Sequence, residues 1–283
     1  MHAKAVVPRA AAAGAVGGVV AWLFSLVFAE PLIQAAIDYE GERGEAEAAL
    51  DAAAGIAPPE EGAEVFTRTV QGVWGIGVGM ILAGVALGLL FAVVYTLLQG
   101  RVSVRPRVLA LLVAGAGFLT FYATPFVKYP ASPPAVGHDE TIGDRSGLFL
   151  VMVVGSVVFL VAAVFVARAL RERLGAWNAV LVGGVAYVVL SGLLMAVLPS
   201  LGELAVNVAT YGPAVGETPQ PLRDPAGQIV FPGFDPDLLY SFRVYSITAQ
   251  AIVWGLLGLV FGALAERATG STSVAETRES VEA

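Results

Sequence analysis

Three adjacent residues, His138, Asp139 and Glu140, carry the side chains of this sequence best suited to binding a metal ion. Imidazole and carboxylate groups are ligands that Co²⁺, Ni²⁺ and Zn²⁺ accept in proteins. Three consecutive residues cannot all point toward one ion, so a site would need further ligands, for example Asp38 or Glu40. The competing interpretation is a solvated loop, because a single loop histidine usually binds no metal. Both interpretations are compatible with the sequence.

A second group of polar residues lies at the ends of long apolar segments, which are themselves nearly free of ionisable side chains. Arg243 and Gln250 are seven residues apart and therefore share one face of a helix. One interpretation is that the group sets the depth of helices at a membrane surface by snorkelling and salt bridges. The other is a polar vestibule that leads to a path between helices. The members are Glu30, Lys128, Asp144, Arg145, Arg243 and Gln250.

The elements that must position these residues are six apolar runs, each near or above the roughly 20 residues that cross a bilayer. The chain is 57% hydrophobic and 14% charged, and its mean hydropathy is +0.77. We therefore expect an all-α fold, a polytopic transmembrane helical bundle with six spans. A single membrane domain would occupy residues 1–267, and 268–283 would be a disordered cytoplasmic tail. The predicted spans are about 10–29, 72–98, 108–127, 147–167, 177–199 and 244–265.

The distribution of charge predicts the orientation of these spans. Ten of the 16 Lys and Arg residues lie in the termini and the two short connectors, which places both termini in the cytoplasm by the positive-inside rule. Three long connectors then lie outside, and they contain 18 of the 23 acidic residues. This excess either serves solubility or concentrates cations at the outer face. The first, second and third connectors are residues 30–69, 128–146 and 200–242.

Small residues and prolines indicate how the spans and connectors are shaped. Glycine pairs four residues apart, at 14 and 18, 84 and 88, and 258 and 262, favour close helix packing. Odd-numbered spans end at Pro31, Pro125 and Pro199, which we interpret as helix terminators. Prolines in the second connector restrict its backbone, so that this connector is expected to have a defined shape. They are Pro130, Pro133 and Pro134, and they follow Tyr129.

Several kinds of chemistry are excluded or unsupported. The chain has no cysteine, which excludes disulfides and thiol chemistry. Its only lysines are Lys4 and Lys128, so it has no P-loop, and neither H-E-x-x-H nor G-x-S-x-G occurs. We therefore predict no catalytic residues, no cofactor, and no nucleotide or nucleic acid as a partner. The first run could instead be a cleaved signal peptide, although its length favours a retained span.

Specific motifs in the chain resemble those of the CbtA family, the predicted cobalt transporter subunits. The longest resembling stretch is TPFVKYPASPPAVG at 124–137, followed by TIGDR at 141–145. Two others are GLLFAVVY at 88–95 and DLLYSFR at 237–243, which leads into Gln250 and Trp254. The first span with EPLI at 30–33 also fits. The resemblance covers essentially the whole chain except its C-terminal tail.

The resemblance implies a function in cobalt uptake linked to cobalamin synthesis, with the cobalt ion as the transported substrate. It also implies a multi-pass protein of the cell membrane and a small partner of the CbtB type, with one span and a histidine-rich tail. The alternative is a non-transporting scaffold or assembly protein whose outer connectors bind another protein. Carboxylates alone discriminate poorly between Co²⁺ and Mg²⁺, so selectivity would come from the partner or the substrate would not be bare cobalt.

Overall fold

A computed structural model of the chain describes residues 3–57, 70–214 and 216–282, and most of them are helical. Five of the described helices are long and apolar enough to cross a membrane. Many of their large apolar side chains are exposed, such as Leu82 and Val93, as expected for surfaces that contact lipid rather than water. The all-α membrane fold agrees with the sequence. The five candidates are Lys4–Phe28, Ile76–Leu98, Pro106–Lys128, Asp139–Tyr211 and Pro236–Ala268.

The helices follow one another along the chain with one short β-hairpin. The α-helices are α1 Ala3–Phe28, α2 Glu30–Ala53, α3 Ile76–Leu98, α4 Pro106–Gly117, α5 Thr124–Lys128, α6 Ile142–Val197, α7 Ala205–Tyr211 and α8 Pro236–Glu282. Two π-helices cover Val70–Gly75 and Phe118–Ala123, and two 3₁₀ turns cover Asp139–Thr141 and Leu201–Glu203. Strands β1 Leu222–Arg223 and β2 Ile229–Phe231 pair antiparallel, with Leu222 opposite Phe231.

The chain divides into two compact units. The first contains α1, α3, α4 and the part of α8 from Ile247 onward, and its α1–α3 contact is built on the predicted glycine pairs. A Cβ atom on Gly84 would lie 2.3 Å from the carbonyl oxygen of Gly14, and one on Gly88 would lie 2.3 Å from that of Ala10. Glycine therefore lets the two backbones touch, and the prediction of close packing is confirmed here.

The part of α8 in the first unit packs through aromatic and small residues. The Phe261 ring lies edge-on to Phe91 and Tyr95, with ring centroids 5.0 and 4.7 Å apart, and all three side chains are buried. Trp254 occupies the space that a side chain on Gly117 would need. These contacts attach α8 to α3 and α4.

The second unit contains α2, the chain from Thr120 to Ser246 and hence all of α6. A straight helix of 56 residues would be about 84 Å long. However, Gly175 has the non-helical angles φ 75° and ψ 164°, and a Cβ on Gly183 would lie 2.8 Å from the Ala163 carbonyl oxygen. Contact between residues 20 apart shows that α6 folds back at Gly175 into two antiparallel arms, 142–174 and 176–197.

Two local predictions differ from the structure. The sequence predicts a connector at 168–176, but the helix continues to residue 174 because Ala, Leu, Arg and Glu in this stretch all favour helix. The sequence predicts that Pro125 ends a helix, but α5 continues through this proline to Lys128. The π-helix Phe118–Ala123 that precedes α5 accommodates the proline. The backbone of 268–282 continues α8 as a helix, so the disordered tail stays a prediction about the chain in solution.

Candidate functional site

The second connector is held in a defined shape by hydrogen bonds to the rest of the second unit. The Tyr129 hydroxyl donates to the Pro199 carbonyl oxygen at 2.8 Å, and the Arg243 Nε donates to the Ala131 carbonyl oxygen at 3.3 Å. Burial raises the pKa of Tyr129 further above its ordinary value, which favours the protonated hydroxyl that donates this bond. Val136 packs with Phe234 in a buried apolar cluster. The predicted rigidity of this connector therefore has a physical basis beyond its prolines.

A buried carboxylate, that of Glu217, joins the second and third connectors. Its Oε1 accepts hydrogen bonds from the Thr141 hydroxyl at 2.6 Å and from the Asn207 side-chain amide at 2.7 Å. Its Oε2 lies 3.5 Å from the Nε of Arg145. Glu217 is only 7% exposed, which makes it the centre of a buried polar cluster. We call Thr141, Arg145, Asn207 and Glu217 the Glu217 cluster.

The position of Arg145 depends on a glycine. The Arg145 Nη2 donates to the His138 carbonyl oxygen at 3.1 Å, which brings the guanidinium group beside the backbone of the second connector. A Cβ on Gly137 would lie 2.1 Å from the Arg145 Nη1, and Gly137 has φ +125°, a conformation that L-residues rarely adopt. Gly137 is thus required both for the backbone turn and for the approach of Arg145 to Glu217.

A cavity of about 560 Å³ opens beside the Glu217 cluster. Its walls come from α2, the second connector and the third connector. The His138 ring lines it and stacks on Tyr211, with ring centroids 3.9 Å apart. Arg43 pairs with Glu47 of the same helix at 2.9 Å, and it reaches from α2 to the third connector by donating to the Gln220 carbonyl oxygen. The charged residues of the lining are Glu40, Arg43, Glu47, Glu217 and Arg223.

The predicted metal ligands lie in different surroundings. Asp139 and Glu140 are exposed in the 3₁₀ turn, and Asp38 is exposed and accepts a hydrogen bond from Gln34 at 2.8 Å. Glu40 and His138 do line the same cavity. Within residues 3–57, 70–214 and 216–282, no three His, Asp or Glu side chains are grouped as metal ligands. A site made of all five predicted residues therefore stays a prediction.

The predicted vestibule residues fall in different places. Lys128 ends α5 with its Nζ 5.8 Å from the centre of the Tyr129 ring. Asp144 is exposed in the first turn of α6, where a carboxylate favours the helix dipole. Gln250 is half-buried in the first unit, whereas the others belong to the second. Glu30, the first residue of α2, is half-buried, as are Pro130 and Pro134, while Pro133 is buried.

Sequence reasoning missed Glu217 and Asn207. Glu217 contacts residues 10 and 76 positions away, which no local pattern reveals. One signal was available, since Glu217 is the only charged residue between Glu203 and Arg223, in a segment rich in proline and glycine. Such an isolated acid in a shaped loop is a candidate for a buried, paired carboxylate.

Apolar helices long enough to cross a membrane, with a polar cluster in the connectors between them, define a multi-pass membrane protein. Comparison with family models identifies the family of membrane proteins: the model of CbtA, probable cobalt transporter subunit, matches residues 3–266. The chain belongs to the CbtA family. Neither the curated proteins nor the solved structures contain a match to the chain.

Proposed function

We propose that this chain is the integral membrane subunit of a cobalt uptake transporter in the cell membrane. The match to a family of probable cobalt transporter subunits over residues 3–266 is the observation that carries this proposal. The two arms of α6 each suffice to cross ~30 Å of hydrocarbon, since the shorter has about 22 residues at 1.5 Å per residue. If each arm is one span, the chain crosses six times and both termini lie on the same side, which the positive-inside rule assigns to the cytoplasm.

In this arrangement the cavity beside the Glu217 cluster lies on the outer side of the membrane. Its carboxylates and the His138 imidazole are groups that attract and bind a divalent cation. The acidic outer connectors would raise the local concentration of cations before they enter it. We assign the first contact with the substrate to this cavity.

A partner subunit fits the small number of nitrogen ligands in the chain, which has only two histidines. A small single-span subunit of the CbtB type with a histidine-rich tail would supply the imidazoles that distinguish Co²⁺ from Mg²⁺. The membrane domain, residues 1–267, would then carry the translocation path, and the 268–283 tail would lie in the cytoplasm.

A non-transporting scaffold is the second candidate. It is favoured by Arg43 and Arg223 in the cavity lining, because two guanidinium groups oppose the entry of a bare cation. In that case the outer connectors bind another protein, and the chain itself moves no ion.

Cobalt accumulation in cells separates these candidates. Cells that express the chain with its partner are expected to accumulate more cobalt than cells that carry the empty vector, measured by elemental mass spectrometry. His138→Ala should abolish the increase, whereas Glu45→Gln, which replaces an exposed carboxylate on α2, should leave it unchanged. Co-purification with the partner without any increase in cobalt would support the scaffold instead.

A further inference from the structure

Two buried oxygen atoms of the Glu217 cluster have no hydrogen-bond donor among the described residues. They are Glu217 Oε2 and Asn207 Oδ1, in side chains that are 7% and 2% exposed. Buried oxygen acceptors are nearly always paired in folded proteins, so two in one cluster need an explanation. The cluster also contains one buried donor without a hydrogen bond, Arg145 Nε, so its unpaired acceptors exceed its unpaired donors by one. Such an excess of acceptors suits a cation.

The orientation of the Asn207 amide is fixed by its neighbours. Its Nδ2 lies 2.7 Å from both the Leu201 carbonyl oxygen and Glu217 Oε1, and both of these atoms accept only. The nitrogen must therefore occupy that position, and the remaining atom is the oxygen. Glu217 Oε1 is similarly occupied by the Thr141 hydroxyl and this amide, which leaves Oε2 as its free oxygen.

Arg145 is the cation that now faces Glu217 Oε2, and it is held loosely. The distance from its Nε is 3.5 Å, and neither atom makes a hydrogen bond within the described chain. Strong guanidinium–carboxylate pairs are bidentate, with distances of about 2.7–2.9 Å. A divalent ion would approach the same oxygen to about 2.0–2.2 Å with twice the charge. It would therefore compete effectively with the guanidinium group for the carboxylate.

Space is available on both sides of this pair. Glu217 lines the cavity of about 560 Å³, which exceeds the ~180 Å³ that six waters of a hydrated ion would occupy. Arg145 lines a separate open groove of about 670 Å³ with Phe149 and Val153. A cation in the cavity would thus lie beside the Glu217 carboxylate, whose buried Oε2 becomes accessible to it only when the Arg145 side chain moves.

We propose that Glu217 Oε2 and Asn207 Oδ1 form an oxygen-donor site for a partly hydrated divalent cation, with Arg145 as the counter-ion that the cation displaces. This inference deepens the proposed transport function and rests on it for its biological meaning. An oxygen-only site binds Mg²⁺, Mn²⁺ and Co²⁺ with modest discrimination, so it concentrates cations and leaves selection among them to other groups.

The test is Mn²⁺ binding to the purified full chain in detergent, with free Mn²⁺ counted by electron paramagnetic resonance. We expect one saturable site per chain, for which Mg²⁺ and Co²⁺ compete. Glu217→Gln should weaken binding at least ~10-fold, because it removes the only anionic ligand. Glu45→Gln, the same substitution at an exposed site on α2, should bind as the unaltered chain does.

The direction of the change in Mn²⁺ affinity in Arg145→Gln distinguishes a displaced counter-ion from a structural residue. Removal of the displaced counter-ion should tighten Mn²⁺ binding about 3–10-fold, since the cation no longer competes with an ion pair. A purely structural role for Arg145 predicts weaker binding or a misfolded chain instead. Circular dichroism and gel filtration check the folding of each variant.

Three results would overturn the inference: no saturable Mn²⁺ site on the unaltered chain, unchanged binding in Glu217→Gln, or binding in folded Arg145→Gln that is no tighter than before. The first result is obtained with the unaltered chain, so the inference can be refuted even if the variants misfold. The assay involves no transport. A chain that binds Mn²⁺ at Glu217 but moves no cobalt would contradict the proposed function alone.

Discussion

The contact between α1 and α3 gives a quantitative prediction for Gly84→Ala. The added Cβ would lie 2.3 Å from the Gly14 carbonyl oxygen and 3.2 Å from the Gly18 Cα, whereas ordinary contact begins at 3.4 Å. The two backbones would have to separate by about 1 Å at this point, which also loosens their neighbouring contacts. Overpacking of this kind costs about 1–3 kcal/mol.

Gly79→Ala is the matched control on the same helix. Nothing lies within 4 Å of a Cβ at this position, so the methyl group meets no other helix. Both substitutions gain the same helix propensity, up to ~1 kcal/mol for replacement of glycine by alanine. The difference between the two variants therefore isolates the packing term, and Gly84→Ala should be less stable than Gly79→Ala by about 1–3 kcal/mol.

The assay is the free energy of unfolding in mixed micelles, from titration with a denaturing detergent followed by circular dichroism. Each variant is compared with the unaltered chain under the same lipid and detergent composition. Equal stability of Gly84→Ala and Gly79→Ala, within about 0.5 kcal/mol, would refute the reasoning that α1 and α3 touch through their backbones.

Three further predictions concern the second unit and the orientation. Gly137→Ala should destabilise the chain by about 1–3 kcal/mol in the same unfolding assay because of its φ of +125°, whereas Gly143→Ala, a helical position that meets no atom within 4 Å, should not destabilise it. Tyr187→Phe removes the buried 2.6 Å hydrogen bond between the Tyr187 and Thr124 hydroxyls and should lower the free energy of unfolding by about 0.6–1.7 kcal/mol. An unchanged free energy of unfolding would contradict this. Because the chain has no cysteine, single Gln228→Cys and Ser103→Cys variants test orientation. A membrane-impermeant thiol reagent on intact cells should label the first and not the second, and the reverse pattern would overturn the predicted topology.

The helices that contact lipid could be predicted from the sequence because a long apolar run has few alternatives to a membrane helix. The packing of α1 on α3 was also accessible, since the glycines at 14, 18, 84 and 88 leave a surface with which another backbone can make contact. In both cases the signal lies in local composition and spacing.

Features that depend on distant contacts could not be predicted. Glu217 is recognisable as a cluster centre only when the second connector brings Thr141 and Arg145 to it. The turn of α6 at Gly175 falls within the predicted connector at 168–176, but the continuation of the helix to residue 174 was not predicted, because this stretch contains charged side chains that end the apolar run. The sequence predicts that a helix ends at Pro125, because the π-helix that precedes this proline has no distinct sequence signal.

The central claim, that this chain moves cobalt across a membrane, is tested most directly by radioactive cobalt flux into proteoliposomes. The purified chain is reconstituted with and without the proposed single-span subunit, and nickel, zinc and magnesium serve as competitors. We predict saturable accumulation above that of protein-free vesicles, reduced in Glu217→Gln and retained in Glu45→Gln. Accumulation no greater than in protein-free vesicles, with folded protein and partner both present, would contradict the claim.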